Sequence, residues 1–485
     1  MTRRASIVLL ALALALVRSG PASAQEKPAR PNILIVLSDD HSARFVGCYG
    51  NKDVRTPNID KLAAKGMRFD RFYVTTPQCV PSRASLMTGR SPIDLQMTRF
   101  SAPLPREHRV YPEILRAQGY FAGVAGRTYH LDGSAKTGAS GKVFDQYNLR
   151  TFADRLDYVK TAGQRAEILK QFRGFLDSVP KGKPFVLQLC FSDPHRPLDN
   201  VGLKETHDPK KIALPSFFPD TQLVREDFAR YLDEVSRFDL DVGTILAELA
   251  QRGLLDNTLV IIGGDNGGAL FRGKGTLYDL GLRVPFVVHW PDHVPAGKTS
   301  AAILSGEDLA PTMLEAAGIP VSKEMTGKSF LPLLKGKEAA QRKFVFAQRG
   351  AHGSGLPGNS AAFDLSRCAI SERYKLIYNA LGHLPYHPVD FAGDPMWKEV
   401  KSMHDAGKLP ERLSKLYFTT PRPMFELYDL KDDPDELRNL YNSAEHTQVQ
   451  RGHLEALHEW MILQRDFVPL PIPPDAPAKK KKKAE

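Results

Sequence analysis

Cysteine is scarce in this chain. Four are present in 485 residues, Cys48, Cys79, Cys190 and Cys368, and none forms a C-x-x-C pair. A disulfide scaffold is therefore excluded. A membrane-spanning run is also missing. The apolar stretch from Ile7 to Val17 is too short for an ordinary span. No internal repeat is evident, and no nucleic-acid motif accompanies the net charge of +11. Eight of the positive charges lie in Arg3, Arg4, Arg18 and the run Lys479 to Lys483, so the excess belongs largely to the ends.

The N-terminus reads as a leader. Met1-Thr2-Arg3-Arg4 is a basic head, Ile7 to Val17 an apolar middle, and Ala22-Ser23-Ala24 a small-residue cleavage site. Cleavage after Ala24 and export, either secreted or to a periplasm, are expected, with no stable membrane insertion. The Pro- and Lys-rich end, 468–485, reads as a disordered tail.

Between these ends, apolar runs alternate with helical patterns. Asn32-Ile33-Leu34-Ile35-Val36-Leu37 reads as a buried parallel strand that ends on Ser38-Asp39-Asp40. Thr258 to Gly263 reads likewise and ends on Gly264-Asp265-Asn266. Phe121 to Gly126, Pro184 to Phe191 and Val284 to Trp290 read as further strands. Thr56, as N-cap, and Pro57 open a helix that Gly66 closes. A long helix is expected over about Arg225 to Arg252, with Gly253 as its stop. Past about residue 340 come short strand-like runs, Tyr374 to Tyr378 and Phe425 to Asp429, and a helix near Leu454 to Gln464. The expected fold class is α/β: a large, mostly parallel sheet flanked by helices, with a smaller C-terminal α+β domain. The boundaries are 25–340 for the first and 341–467 for the second.

Three features carry chemistry. Asp39-Asp40 and Asp265-Asn266 each follow a buried strand, at the edge where open α/β sheets bind ligands. Together they offer four oxygen donors and three negative charges. That set suits a hard divalent cation, Ca²⁺ with its six to eight oxygens or Mg²⁺ in a stricter octahedron. Cys79-Val80-Pro81-Ser82-Arg83 sets a Cys at a helix start with an Arg four residues on, sharing its face. Such a Cys is either an anion-handling nucleophile beside a helix N-terminus and a guanidinium, or a simple buried thiol.

Taken together, these residues resemble the type I, formylglycine-dependent sulfatases of the alkaline phosphatase superfamily. The likeness runs from about Pro31 to Leu440. Cys79 to Arg83, continuing through Thr88-Gly89, resembles the family's first signature. Gly119-Tyr120 through Gly126-Arg127-Thr128-Tyr129-His130 resembles the second, with Arg127 where the family usually has Lys. The resemblance implies oxidation of Cys79 to 3-oxoalanine (formylglycine) by a maturation enzyme. It implies one Ca²⁺ held by Asp39, Asp40, Asp265, Asn266 and the modified Cys79. It also implies sulfate contacts from Arg83, Arg127 and Lys274, with Asp265 as base, His195 as general acid and His130 acting on the second hydroxyl of the hydrated aldehyde. Leu214 to Thr221, with Arg225, Asp227, Tyr231, Asp239 and Gly243, resembles the heparan N-sulfatase (sulfamidase) members, whereas Gly273-Lys274 is closer to O-sulfatases. The substrate expected is a sulfated carbohydrate, such as a glycosaminoglycan fragment. Two other readings stay open: a phosphoesterase of the same superfamily and a non-catalytic binder of sulfated polysaccharide. No His follows Asp265-Asn266-Gly267-Gly268 to hold a second metal.

Overall fold

The apolar run that begins at Asn32 is continuous because both of its faces are covered. Ile33, Ile35 and Leu37 enter one core cluster. Leu34 and Val36 enter another on the opposite face. The strand β1 (Asn32–Ser38) is buried throughout. A computed structural model describes residues 30–97, 103–133, 138–337, 342–352 and 358–471, apart from the side chains of residues 129, 130 and 140. The leader read at 1–24 and most of the tail read at 468–485 lie outside the described residues.

The large sheet contains β1, β2 (Met67–Tyr73), β3 (Phe121–Gly126), β4 (Tyr158–Val159), β5 (Phe185–Cys190), β6 (Thr258–Gly264), β7 (Phe286–His289) and β8 (Lys298–Ser305). Their spatial order is β4-β3-β5-β1-β6-β7-β2-β8. β7 alone runs against its neighbours; every other pairing is parallel. β1 and β6 lie side by side in register, Ser38 opposite Gly264. Their carboxylate pairs are therefore delivered to one spot. A smaller antiparallel sheet follows, in order β12-β11-β10-β9, from β9 (Val345–Ala351), β10 (Phe363–Ile370), β11 (Tyr374–Asn379) and β12 (Phe425–Asp429). The Thr447–Leu463 helix packs on it through Leu454, Leu457 and Trp460.

The expected strands hold, with ends trimmed to Phe185–Cys190 and Phe286–His289. β2 mixes buried and half-buried positions and β8 begins exposed, so neither gave a continuous apolar run to read. The long helix spans Gln222–Gln251 and starts three residues before Arg225, because the Thr221 side chain accepts from Val224 N at 3.3 Å. The helix at Pro57–Lys65 does open at Thr56, but the Thr56 hydroxyl does not cap it. Asp239, from the long helix, accepts from Asn58 N at 3.1 Å and Ile59 N at 2.8 Å instead. A tertiary carboxylate takes the donors that a local side chain was expected to take.

Candidate active site

Cys79 is the first residue of a helix, Cys79–Thr88, in which every residue is buried. Gly89 ends it with φ 69°, its N–H returning to Ser85 O at 2.9 Å. Pro81 sits in the first turn, where no intrahelical N–H is lost. The Cys79 thiol donates to Asp39 Oδ1 at 3.4 Å, and the Ser82 hydroxyl donates to the Asp265 carbonyl. The start of the helix is thereby pinned to the ends of both central strands.

Four adjacent strands, β3, β5, β1 and β6, send residues to the same place from their carboxyl ends. Asp39, Asp40, Asp265 and Asn266 have no solvent exposure. The ligand atoms of Asp39, Cys79 and Asp265 lie within 4.8 Å of one another. Arg83 contacts Asp265 Oδ2 at 2.8 Å and Asp39 Oδ2 at 3.2 Å. Arg127, after β3, places Nε 2.8 Å from Asp39 Oδ2. Lys274, on the loop after β6, lies 2.9 Å from Asp40 Oδ1 and 2.6 Å from Asp390 Oδ2. His195, after β5, has Nε2 3.8 Å from Asp40 and 3.7 Å from Asp390. The catalytic and metal-binding candidates named from sequence lie together here, except His130, whose side chain lies outside the described residues.

The charges are not balanced. Asp39, Asp40, Asp265 and Asp390 face Arg83, Arg127 and Lys274. Burial pushes Asp39 up, but Arg127 and Arg83 outweigh it and hold its carboxyl well below the usual range. Burial pushes Asp40 and Asp265 up to about 7, against Lys274 and Arg83 respectively. His195 is lowered to about 4 by burial and then by Lys274. The Asn266 amide nitrogen donates to Asp40 Oδ1 at 2.8 Å, while its buried oxygen has no hydrogen-bond partner. A buried orphan acceptor beside three carboxylates fits a hard divalent cation. Two ligands across a Ca²⁺ ion lie up to about 5 Å apart, a reach that takes in the Asp39, Cys79 and Asp265 ligand atoms.

The surroundings hold the geometry. Asp40 has φ 64°, a left-handed conformation costing about 1–3 kcal/mol for a non-glycine residue. Tyr231 restrains it by donating to its carbonyl at 3.0 Å. The His195 ring donates Nδ1–H to the Arg196 carbonyl, which turns Nε2 toward the carboxylates. Its loop is clamped by Arg237, which reaches Asp193 at 2.6 and 3.0 Å, and by Arg196, which pairs with Asp227. Gly268 is required by close approach: a Cβ there would meet the Tyr231 hydroxyl at 2.7 Å.

Sequence reasoning missed Asp390 and its neighbour His352, whose Nε2 lies 3.4 Å from Asp390 Oδ1. Burial lowers His352 to about 4. No motif surrounds either residue. Asp390 arrives because Val389 packs on Gly275, where a Cβ would meet it at 2.3 Å.

Three cations stand here beside oxygen donors suited to a metal, whose charge would tip the balance toward binding an anion. That defines a hydrolase of anionic esters on an α/β sheet. Residues 31–319 match the family model "Sulfatase". Residues 268–416 match the model "N-sulphoglucosamine sulphohydrolase, C-terminal". The chain belongs to the sulfatase family and is a sulfuric ester hydrolase. It is 27% identical over 492 residues to an ulvan-active sulfatase of Formosa agariphila, covering 94% of this chain and 78% of that one. It is 26% identical over 473 residues to human N-sulphoglucosamine sulphohydrolase, covering 89% and 90%. A solved structure, of a protein in complex with its substrate D-glucosamine-2-N,6-O-disulfate, superposes with TM-score 0.68 at 20% identity, covering 91% and 99%.

Proposed function

We propose that this chain hydrolyses a sulfate ester or sulfamate on a sulfated carbohydrate, using a formylglycine made from Cys79 and one Ca²⁺. The observation that carries the reading is the enclosure of Cys79. Its thiol is fully buried, faces Asp39, and is pushed well above the ordinary range by burial and by that carboxylate. A thiol so placed is a poor nucleophile in its own right. It is better suited as the substrate of a maturation enzyme acting before the site closes. The names of the relatives support the substrate class, since they act on ulvan and on N-sulphoglucosamine.

Ca²⁺ held by Asp39, Asp40, Asp265, Asn266 and the group derived from Cys79 would supply positive charge to the sulfuryl oxygens. The hydrated aldehyde would supply the nucleophilic oxygen. Arg83, Arg127 and Lys274 orient the sulfate and stabilise charge that grows in the transition state. Asp265 accepts the proton of the attacking hydroxyl. His195 Nε2 gives a proton to the departing oxygen or nitrogen as the bond to sulfur breaks. A bound sulfate places negative charge beside that ring and draws it toward its protonated form. His130 would take a proton from the group derived from Cys79 when sulfate is released.

This reading assigns 1–24 to a cleaved leader, 25–340 to the catalytic domain and 341–467 to the smaller one, with the mature enzyme exported. No described helix is long and apolar enough to cross a membrane. The test is peptide mass spectrometry across Cys79, on protein made with a maturation enzyme, together with aryl sulfate hydrolysis. An aldehyde at residue 79 and Ca²⁺-dependent turnover are expected. An intact thiol in active protein, or aryl phosphate preferred to aryl sulfate, sinks it.

A further inference from the structure

A second cavity, lined by aromatic and cationic side chains, borders the loop that carries Lys274. Its volume is about 310 Å³. Its floor is formed by Arg272 and Arg349, which are 3% and 1% exposed. Arg412 and Lys415, on the exposed face of the Glu411–Phe418 helix, stand at its mouth. Tyr278, Tyr386 and Tyr428 form walls, with the amides of Asn379 and Asn439 between them.

Positive charge here exceeds what the walls neutralise. Arg422 takes Asp364 as a two-point pair at 2.9 and 3.0 Å. Glu426 is engaged by the Tyr278 hydroxyl at 2.8 Å and by Asn379 at 2.6 Å. Among the described residues, neither Arg272 nor Arg349 makes a contact ion pair; Glu436 and Asp364 respectively act on them only at longer range. Arg349 donates only to carbonyls, including Gly275 O at 3.0 Å and Ser360 O at 3.1 Å. Burial lowers it to about 10. Arg272 donates Nη2 to Glu436 O at 2.6 Å and lies 3.5 Å from the Tyr278 ring centre, and its Nε and Nη1 have no described partner. A guanidinium kept from water without a counter-charge in contact is costly. A solvent-reached cavity lined by such groups invites an anion that brings the missing charge.

We propose that this cavity is a second, non-catalytic site for an acidic sugar residue, one bearing a carboxylate or a sulfate. The proposal rests on the sulfated-carbohydrate reading above. The anionic group pairs with Arg272 and Arg412, while the tyrosine rings pack on the sugar. The volume lies at the small end for ligand sites and accommodates one sugar ring rather than a chain. Sulfated polysaccharides carry anionic groups repeatedly, so one polymer offers ligands to both sites. Arg349 bonds Gly275, next to Lys274, so an occupied cavity bears directly on the catalytic loop.

The test is titration calorimetry of the full chain with glucuronic acid in one arm and N-acetylglucosamine 6-sulfate in the other. The tighter arm identifies the anion. Saturable binding is expected, weakened about tenfold by Arg272→Gln and severalfold by Arg412→Ala. Arg412 is exposed, so its variant keeps the test open if Arg272→Gln does not fold. His195→Ala, in the catalytic pocket, is expected to retain the affinity. No saturable heat in either arm, equal affinity in wild type and both arginine variants, or loss of binding in His195→Ala overturns the proposal. The titrations use the full chain with Cys79 unconverted, so binding is read without turnover, and a failure of the catalytic reading, seen in aryl sulfate hydrolysis of matured protein, remains a separate result.

Discussion

Lys274 Nζ lies 2.6 Å from Asp390 Oδ2, and this contact joins two distant parts of the chain in one ion pair. Lys274 belongs to the loop after β6, whereas Asp390 belongs to the connection between β11 and β12. The residues around the smaller sheet therefore complete the pocket rather than merely pack behind it. Burial would lower the Lys274 ammonium, but Asp390 and Asp40 outweigh it and keep it charged. Asp390→Asn removes that charge while preserving shape. We expect kcat/KM for an aryl sulfate to fall about 10- to 100-fold, as for loss of one charge-assisted contact. Wild-type kinetics would show that Asp390 is dispensable.

Arg127 stands where the family usually has Lys, and the structure pairs it with Asp39 at 2.8 Å through Nε. Its planar fork contacts the carboxylate through one of five N–H donors, a geometry that also suits a tetrahedral sulfate. A Lys ammonium makes both contacts from one point. Arg127→Lys should therefore keep activity within about tenfold, and Arg127→Ala should lose about a hundredfold. Equal loss in both variants would mean that fork geometry, rather than charge, is what the site uses.

One cation near the His195 loop serves three acids. Arg237 contacts Asp193, Asp199 and Glu234, and Glu234 is the most buried of them. Burial, then Asp193, pushes Glu234 up to about 9 from an ordinary value near 4.5. Its folded pKa lies above its unfolded one, so its stabilisation is complete below about 4.5 and is lost as pH rises through about 9. Glu234→Gln cannot ionise and should escape that loss. Urea unfolding at pH 5, 7 and 9 should find the variant gaining on wild type by about 1.4 kcal/mol per pH unit at most. A difference independent of pH would contradict a protonated Glu234.

How much of this was legible beforehand depends on how local each signal is. Asp39-Asp40 and Asp265-Asn266 were readable because a strand buried on both faces makes its first charged residues conspicuous. The Cys79 helix was readable from Pro81, Arg83 and Gly89 within eleven residues. Asp390 and His352 were not, because each is an ordinary polar residue until the smaller sheet is folded against the Lys274 loop. Asp239 as the cap of the Pro57–Lys65 helix was hidden for the same reason: it lies 180 residues or more from the amides it accepts. Strands β2 and β8 sit toward one end of the large sheet, where partial exposure breaks the apolar run that marks β1 and β6.

The strongest test of the metal assignment is Asn266, because its role separates from charge. Its amide nitrogen is satisfied by Asp40 and by the Gly267 carbonyl, at 2.8 and 2.9 Å, whereas its oxygen is buried without a hydrogen-bond partner. An oxygen in that position is accounted for if it coordinates a cation. Asn266→Ala removes one neutral ligand and leaves all three carboxylates in place. We expect the Ca²⁺ concentration for half-maximal activity to rise about 10- to 100-fold, with activity largely restored at saturating Ca²⁺. Chelation of the wild type should abolish turnover and lower thermal stability, since an ion bound only to the folded state at a thousand times its Kd contributes about 4 kcal/mol. Readdition of Ca²⁺ should reverse both effects, and Mg²⁺ should do so less well, because its octahedron tolerates this donor set poorly. Turnover that survives exhaustive chelation, or an Asn266→Ala variant with unchanged Ca²⁺ dependence, would remove the cation from the site.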